Sequence, residues 1–307
     1  MQISLPYLEK HPFAAAVLAS AGVLYTDLDG TLLGRGGCLL ADAEGAPDAT
    51  AAKAVALLNA ESLPVVAVSG RNVRQLRELG RLLGWRDYIA EVGTVRVRNR
   101  GEEIRYELGE WPPGMLEETG LTPHQLIERT GAVRALLDAF PGRIEYHSAY
   151  EYDGDRLVTH ALRGEVDLDV AQAVLDTFEL PLAIVDNGRI RPMKHGLVDV
   201  THIHAYHVMP KGVTKVHAIA ADLAERGCTR DEAIAAGDSL TDVEMAPAVG
   251  LFVLVANGLR QDAVRESAAS RDNVVVTDGA AGHGWAELAH AWVAARADAT
   301  CGADPSR

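Results

Sequence analysis

The sequence predicts an α/β protein, in which a parallel sheet is covered by helices and a smaller α+β module is inserted into the chain. Three observations predict this class. Apolar strand segments alternate with helical segments in the first hundred residues, the alternation returns near the end, and the middle contains paired strands. Strands that are apolar along their whole length are typical of parallel sheets buried on both faces.

The first part of the chain supplies two strand–helix pairs. Residues 22–26 (GVLYT) predict a short strand, and residues 48–61 have helical periodicity. Residues 63–69 (LPVVAVS) predict a continuous buried strand, followed by an amphipathic helix at 72–84. Because a helix follows each strand, the connections favour parallel pairing.

The middle of the chain has a different pattern. A predicted helix at 122–140 precedes a predicted hairpin at 142–164, whose turn is Asp153–Gly154. The alternating positions of its first strand are Ile144, Tyr146, Ser148, Tyr150 and Tyr152. The other predicted elements are a helix at 167–178, a strand near 182–186 and a further strand pair through about 208. Strand pairs with helices indicate a small α+β unit, with an antiparallel sheet.

The last part of the chain restores the strand–helix alternation. Its predicted elements are helices at 212–227 and 283–297 and strands at 232–237, 251–257 and 273–277. We therefore predict one core domain formed by residues 1–99 and 206–307, with residues 100–205 as the inserted module.

Composition excludes several classes of protein. The chain has 307 residues and a net charge of −14, which disfavours a surface for nucleic acid but permits a small anionic substrate. Its three cysteines, Cys38, Cys228 and Cys301, have no metal-like spacing, and a disulfide framework is not expected. These features fit a reducing, cytoplasmic location.

The apolar run at 13–25 resembles a secretion signal because Ala19–Ala21 (ASA) mimics a cleavage site. The preceding residues hold one lysine, Lys10, beside Glu9, so the positive leader is poor. We interpret the run as a short helix followed by a buried strand. No stretch is long and apolar enough to span a membrane, and no membrane partner is expected.

Two aspartates stand where the first strand ends. Asp27 and Asp29 are separated by one residue and followed by Gly30 and Thr31. Ligands of open α/β sheets bind at the carboxyl ends of the strands. Spacing of two directs both side chains the same way if strand geometry continues. The pair repels itself, so a positive charge or a proton is expected nearby.

The second and third candidate segments can hold an anion. Ser69 and Gly70 lie between the second strand and its helix, where free N–H groups and a hydroxyl favour a phosphate oxygen. Lys215 is predicted in the first turn of a helix, where a cation is disfavoured unless an anion or carboxylate is near. Lys211, in the preceding loop, is the competing lysine.

The fourth segment adds two carboxylates. Asp238 follows a predicted buried strand, and Asp242 lies one helical turn later on the same face. Asp238 alone would also suit a helix N-cap. Together the four segments place carboxylates, a hydroxyl and a lysine at equivalent strand-to-helix junctions of one sheet.

With these segments in this order, the chain resembles the haloacid dehalogenase superfamily, in its phosphatase branch. Its four motifs match DLDGT at 27–31, Ser69, Lys215 and GDSLTD at 237–242. The resemblance implies a Rossmann-like parallel core. It also implies that the insert is a C2-type (C2B) α+β cap like that of sucrose-, trehalose- and mannosylglycerate-phosphate phosphatases. Two departures concern the subfamily: Val216 and His217 follow Lys215, and EVGT stands at 91–94, where relatives often have glycine and Asn-Gly respectively.

The resemblance also implies roles. Asp27 would attack phosphorus, and Asp29 would protonate the leaving oxygen and then activate water. Asp27, the main-chain carbonyl of Asp29, and Asp238 would hold Mg²⁺. Phosphoryl oxygens would be bound by Ser69, the Gly70 amide and Lys215, with Thr31 and Asp242 in support. The expected activity is Mg²⁺-dependent hydrolysis of a small phosphorylated metabolite, a sugar phosphate, through an aspartyl-phosphate.

Two alternatives remain at this stage: a phosphomutase with the same chemistry, and a non-catalytic protein that binds a metabolite. A monomer or a homodimer is expected. Dinucleotide-binding, P-loop and α/β-hydrolase functions are not expected, because their glycine, lysine and serine motifs do not appear.

Several basic residues give weaker signals. Arg71, Arg191, Lys194 and His195 are candidates for contact with the substrate beyond its phosphate. The sequence HIHAYH places three histidines at 202, 204 and 207. His202 and His204 share one face of a strand, and His207 faces the other way, so a polar strand face or a substrate contact is favoured over a metal site.

Overall fold

The computed structural model describes residues 5–148, 155–190 and 194–302. These residues form two units. The first contains the chain up to Ser69, Leu79–Tyr88, and the chain from Lys215 onward. The second contains Gly70–Glu78 and Ile89–Thr214.

Helices and strands alternate along most of the chain. The helices are α1 Pro12–Ser20, α2 Thr50–Ala60, α3 Val73–Leu83, α4 Met115–Thr119, α5 Pro123–Thr130, α6 Ala132–Ala139, α7 Leu168–Leu175, α8 Lys215–Arg226, α9 Leu240–Val243, α10 Asp262–Ala269 and α11 Gly282–Gly302. The strands are β1 Val23–Thr26, β2 Val65–Val68, β3 Asp87–Ala90, β4 Val95–Arg98, β5 Glu103–Tyr106, β6 Ile144–Tyr146, β7 His160–Gly164, β8 Leu182–Ile190, β9 Ile203–Pro210, β10 Ala233–Gly237, β11 Leu251–Leu254 and β12 Val274–Val276.

The sheet of the first unit confirms the predicted fold class. Five strands lie side by side in the order β12-β11-β10-β1-β2, and each of these pairings is parallel. All five strands are buried along their whole length. The predicted short helix and strand in the apolar run at 13–25 are confirmed as α1 and β1. Because the strands are parallel, β1, β2 and β10 end at the same edge.

A buried polar network fixes β1 to α8 in the first unit. The hydroxyl of Tyr25 donates to Asp222 Oδ2 at 2.7 Å, and Arg226 donates to Asp222 at 2.6 Å and to Asp87 at 2.5 Å. Burial and then the charge of Asp222 raise the pKa of Tyr25, so the phenol stays a donor. The network joins the strand that precedes Asp27 to the helix that begins with Lys215.

The second unit contains a four-stranded antiparallel sheet in the order β6-β7-β9-β8. Its first two strands confirm the predicted hairpin pairing, with Tyr146 opposite Leu162. The turn predicted at Asp153–Gly154, with Tyr150 and Tyr152, lies outside the described residues. The helices of this unit pack on an apolar core of Trp111, Ile127, Leu136, Ile144, Leu162, Leu175, Leu182 and Tyr206.

The second unit extends beyond the limits of 100 and 205 predicted for the inserted module. It includes the antiparallel β4–β5 pair, and β9 continues to Pro210 as a strand of the small sheet. The boundary predicted at 205–206 falls inside this strand, because the hydrophobic pattern of a strand does not show which sheet it joins. The independence of the two domains stays a prediction.

Within the described part of the chain, none of the helices is long and apolar enough to cross a bilayer.

Candidate active site

The loop after β1 is folded tightly around Asp27. The carbonyl of Leu28 accepts from the amides of Thr31, Leu32 and Leu33 at 3.2, 3.1 and 2.8 Å. Gly30 has φ +89, and a Cβ there would lie 2.6 Å from Asp238 Oδ2. Glycine is therefore required at this position for two reasons: its backbone conformation, and the close approach of a carboxylate.

Two side chains of the first unit contact the Asp27 carboxylate. Thr31 Oγ1 lies 3.3 Å from Asp27 Oδ2 and 3.3 Å from Asp238 Oδ1. Lys215 Nζ lies 3.9 Å from Asp27 Oδ1. The first, third and fourth sequence segments therefore meet at the carboxyl ends of β1 and β10, as predicted from the strand positions.

Asp238 follows β10 directly and is held by an amide. Asn257 Nδ2 donates to Asp238 Oδ2 at 2.9 Å and to the Gly30 carbonyl at 2.9 Å. Asp238 is not the helix N-cap, since Ser239 caps α9 and Asp242 completes its capping box. The carboxylate of Asp238 is thus left for the site.

Both carboxylate oxygens of Asp242 accept hydrogen bonds from neighbouring residues. Its Oδ1 accepts from Lys215 Nζ at 2.7 Å. Its Oδ2 accepts from Ser239 Oγ at 2.6 Å and from the amide of Ser239 at 3.1 Å. Both oxygens have short contacts, so Asp242 is suited to orienting Lys215 and less suited to binding a cation.

Lys215 is the buried lysine of the pair considered from sequence. It is the first residue of α8 and is 5% exposed, whereas Lys211 is exposed and lies 3.3 Å from Asp176. Burial alone would lower the pKa of Lys215, but the charges of Asp242, Asp27 and Asp238 raise it above its ordinary value. The ammonium therefore stays charged inside the first unit.

Ser69 lies buried at the end of β2, the strand beside β1. Gly70, the next residue, belongs to the second unit. The following helix begins only at Val73, after a reciprocal cap in which Asn72 and Gln75 exchange hydrogen bonds at 2.9 and 3.1 Å. The phosphate-binding roles of Ser69 and of the Gly70 amide stay predictions.

Negative charge is in excess at this edge of the sheet. Burial, followed by the charges of Asp242 and other neighbours, raises the pKa of Asp27 well above its ordinary value. Burial and Asp242 also raise the pKa of Asp238 to about 7. The side chain of Asp29 is exposed, and its charge raises both values further. One lysine does not balance these carboxylates, so a further cation is favoured.

An acidic cluster capable of holding that cation is present. Carboxylate oxygens of Asp27, Asp238 and Asp242 lie within 4.8 Å of one another. Asp242 is already bonded to Lys215, which leaves Asp27 and Asp238 as the available pair. Oxygen donors of this kind suit Mg²⁺, which binds through one or two carboxylates while keeping several waters.

Three of the four predicted substrate contacts, Arg71, Lys194 and His195, lie within the described residues. Lys194 and His195 are exposed in a segment without regular structure, and Arg191 lies outside the described residues. The carbonyl of Arg71 accepts from the amide of Glu91 at 3.0 Å. In a sequence, a basic residue that contacts a ligand looks the same as one that only faces solvent. These four assignments therefore stay predictions.

The three histidines of HIHAYH have separate partners. His204 Nδ1 lies 2.7 Å from Asp186 Oδ2, and the buried His207 lies 3.2 Å from Thr159 Oγ1. The amide of His202 donates to Glu165 at 3.4 Å. Within the part of the chain that the structure describes, these histidines do not form a metal-binding cluster.

One residue of the site was missed by sequence reasoning. Asn257 comes soon after β11, so it satisfies the rule that drew attention to Asp27, Ser69 and Asp238: a polar residue follows a buried strand. Asparagine is common at such positions, and only the contacts of Asn257 with Gly30 and Asp238 mark it as part of the site.

Comparison with known proteins agrees with this geometry. Residues 192–271, which include Lys215, Asp238 and Asp242, match the haloacid dehalogenase-like hydrolases. The phosphoglycolate phosphatase of Methanoculleus marisnigri is 27% identical over 237 residues, covering 76% of this chain and 83% of that protein. That of Halobacterium salinarum is 43% identical over 63 residues, 20% of this chain and 28% of that protein.

Solved structures share the fold. A protein of Thermoplasma acidophilum has a TM-score of 0.57 at 16% identity, covering 89% of this chain and 98% of its own. The sucrose-phosphatase of Synechocystis has a TM-score of 0.58 at 14% identity, covering 88% and 97%. A subclass IIB sugar phosphatase of the superfamily has a TM-score of 0.52 at 16% identity, covering 83% and 94%. The matched segment, the fold and the order of the site residues are all similar to those of haloacid dehalogenase-like hydrolases.

Proposed function

We propose that the chain is a Mg²⁺-dependent phosphomonoester hydrolase that acts on a small phosphorylated metabolite through an aspartyl-phosphate. The observation that carries this proposal is the surrounding of Asp27. Its carboxylate at the end of β1, 13% exposed, lies 3.9 Å from Lys215 Nζ and 3.3 Å from Thr31 Oγ1, with Asp238 beside it. A nucleophile needs such activation and positioning.

In this reaction Asp27 attacks phosphorus, the bond from phosphorus to the leaving oxygen breaks, and an aspartyl-phosphate forms. Asp29 donates a proton to the leaving oxygen. It then takes a proton from the water that attacks phosphorus, which releases phosphate and restores Asp27. The exposure of Asp29 suits a group that exchanges protons with substrate and water.

Lys215 and Ser69 are proposed to bind the phosphoryl oxygens. The ammonium of Lys215 is held by Asp242 at 2.7 Å, so its position does not depend on the substrate. A fixed charge needs little reorganisation as charge develops in the transition state, and this lowers the barrier.

Asp27, Asp238 and the main-chain carbonyl of Asp29 would hold Mg²⁺. When bound there, the ion supplies neutralisation of negative charge and orientation of the phosphoryl group. The contacts of Asn257 and Thr31 with Asp238 keep its carboxylate oriented toward Asp27.

The leaving group is proposed to be a small oxygen-rich residue. One relative that aligns over 76% of this chain is named a phosphoglycolate phosphatase, and structures with the same fold include a sucrose-phosphatase. A phosphorylated hydroxy acid and a sugar phosphate share an oxygen-bearing carbon close to the ester, so both belong in the substrate screen.

Phosphate release from a panel of phosphorylated hydroxy acids, sugars and 4-nitrophenyl phosphate tests the proposal. We expect release with Mg²⁺ and loss of activity with a chelator. Isomerised product without phosphate would indicate the phosphomutase, and the absence of turnover on every ester would favour a binding protein. An undiminished rate in a metal-free preparation would contradict the cation site.

The effect of Mg²⁺ on stability should depend on pH. Folded Asp238, with a pKa of about 7, keeps its proton at pH values where an unfolded aspartate, with a pKa of about 4, has lost it. The folded state binds more protons between these values, so the metal-free protein loses stability as pH rises through them. Cation binding requires the deprotonated carboxylate, so Mg²⁺ should raise Tm more at about pH 8 than at about pH 5.5.

Thermal denaturation with and without Mg²⁺ at the two pH values measures this difference. Asp238→Asn is the matched control and should remove most of the Mg²⁺ effect at both. Equal increases in Tm at both pH values for the unaltered protein would refute the linkage to these carboxylates.

A further inference from the structure

The helix α8 of the first unit buries two ionisable side chains on a face that is otherwise apolar. This face follows the helical spacing of three and four residues. Its members are Lys215, Ala218, Ile219, Asp222 and Leu223. Lys215 belongs to the proposed active site, whereas Asp222 has no part in the proposed reaction. A buried carboxylate that the reaction does not use needs an explanation, because burial of a charge costs free energy unless the charge is paired.

The two ionisable residues of α8 contact two points of β1 and its continuation. They are seven positions apart, which places them on one face of the helix, about 10 Å apart along its axis. Lys215 Nζ lies 3.9 Å from Asp27 Oδ1, and Asp222 Oδ2 accepts from the hydroxyl of Tyr25 at 2.7 Å. The earlier residue of the helix contacts the later residue of the strand segment, so α8 runs against β1 and is joined to it twice.

The contact between Tyr25 and Asp222 lies in the interior of the first unit. Tyr25 is fully buried, and Asp222 is 2% exposed. The same oxygen of Asp222 accepts from Arg226 Nε at 2.6 Å, and Arg226 also donates to Asp87 at 2.5 Å. Arg226 supplies the positive charge that a buried carboxylate needs. The bond from Tyr25 is not needed for charge balance, so its effect is on geometry.

This hydrogen bond fixes α8 along the direction of β1. The apolar residues of the helix hold it against the sheet, but the hydrophobic effect is not directional and does not specify a position along the strand. A hydrogen bond requires both a distance and an angle. The bond from Tyr25 to Asp222 therefore sets how far the first turn of α8 extends beyond the end of β1.

The position of α8 decides where the ammonium of Lys215 lies, because Lys215 is the first residue of the helix. A helix displaced along the strand carries Lys215 with it. Displacement of a reacting group by about 1 Å can lower a rate about a hundredfold. Asp242 also holds the ammonium, at 2.7 Å, but it belongs to α9. Its contact therefore does not fix α8 relative to β1.

We propose that Tyr25 and Asp222 are positioning residues for the hydrolysis. Their hydrogen bond holds α8 at the place along β1 from which Lys215 reaches the phosphoryl group attacked by Asp27. The inference rests on the proposed function, because only there does Lys215 bind a phosphoryl group. Neither Tyr25 nor Asp222 is proposed to contact the substrate, and both act through Lys215.

A double-mutant cycle tests this inference. The four proteins are the unaltered enzyme, Tyr25→Phe, Lys215→Met and the double variant, and the measurement is kcat/KM for 4-nitrophenyl phosphate. Phenylalanine keeps the ring and removes only the hydroxyl. With Lys215 present, we expect Tyr25→Phe to lower kcat/KM about tenfold. With methionine already at 215, the same change should lower it less than about twofold, because no ammonium is left to displace.

Two comparisons separate position from stability. Val274→Ala makes a small cavity in β12, at the far end of the strand order from β2. It should lower Tm but change kcat/KM less than about twofold at temperatures well below Tm. Asp222→Asn keeps an oxygen that can accept from both Tyr25 and Arg226, whereas Asp222→Ala does not. The asparagine variant should therefore retain more of the rate than the alanine variant.

Equal losses from Tyr25→Phe in both backgrounds would show that Tyr25 acts independently of Lys215, and would overturn the inference. No loss with Lys215 present would overturn it as well. A loss of kcat/KM in Val274→Ala as large as that in Tyr25→Phe would assign the effect to stability alone. Each of these results leaves the unaltered enzyme active, and so the proposed function intact. Absence of turnover on every ester by the unaltered enzyme overturns the proposed function, and the inference with it.

Discussion

Asp27→Asn is expected to lower phosphate release on the order of 10³-fold or more, because an amide does not attack phosphorus. The change is nearly isosteric and leaves the contacts of the loop after β1 in place. It removes one of several crowded carboxylates, whose burial raises the pKa of Asp27. The metal-free variant should therefore melt at the same temperature as the unaltered protein or above it.

Phosphate release and thermal denaturation, measured on the same preparations, test the expected loss of rate and the expected melting temperature. Asp272→Asn, an exposed change in the first unit, is the matched control and should leave the rate unchanged. Retention of more than a small fraction of the rate would remove Asp27 as the nucleophile. A large loss of both rate and Tm would point to a structural role.

The sequence was sufficient for the fold class and for part of the site. Strand segments such as 63–69 are apolar throughout, and this pattern is typical of strands buried on both faces. Asp27 and Asp238 follow such strands, so their convergence at one edge could be predicted before the strand order was known. A carboxylate near Lys215 could be expected, because a lysine in the first turn of a helix is disfavoured unless an anion or a carboxylate is near.

Other features could not be read from the sequence, because they depend on pairing between distant segments. The irregularity of β8 between Asp186 and Arg189 exists only relative to the register of β9, and IVDNGRI alone reads as a strand with a turn-like interruption. The strand β9 runs across the boundary predicted at 205–206, and its partners in the sheet are likewise distant in sequence. The bond between Tyr25 and Asp222 spans nearly two hundred residues of the chain, and neither residue belongs to a motif.

Lys215→Met is expected to reduce both activity and stability. The ammonium lies 2.7 Å from Asp242 and 3.9 Å from Asp27, and Lys215 and Asp242 are both buried. Methionine keeps much of the side-chain volume but leaves the carboxylates without their lysine. Removal of one partner from a buried ion pair costs about 3–5 kcal/mol. Loss of a fixed charge at the phosphoryl group should slow phosphate release about 10²–10³-fold.

The double variant Lys215→Met, Asp242→Asn separates these two effects. Neutralising Asp242 removes the unpaired buried charge, so much of the lost stability should return in thermal denaturation. The rate should stay low, since no cation has been restored beside the phosphoryl group. Lys211→Met, at the lysine that pairs with Asp176 near the surface, should change neither the rate of phosphate release nor Tm appreciably. Recovery of the rate in the double variant would mean that Lys215 acts only by neutralising Asp242, and its role in phosphate binding would have to be abandoned.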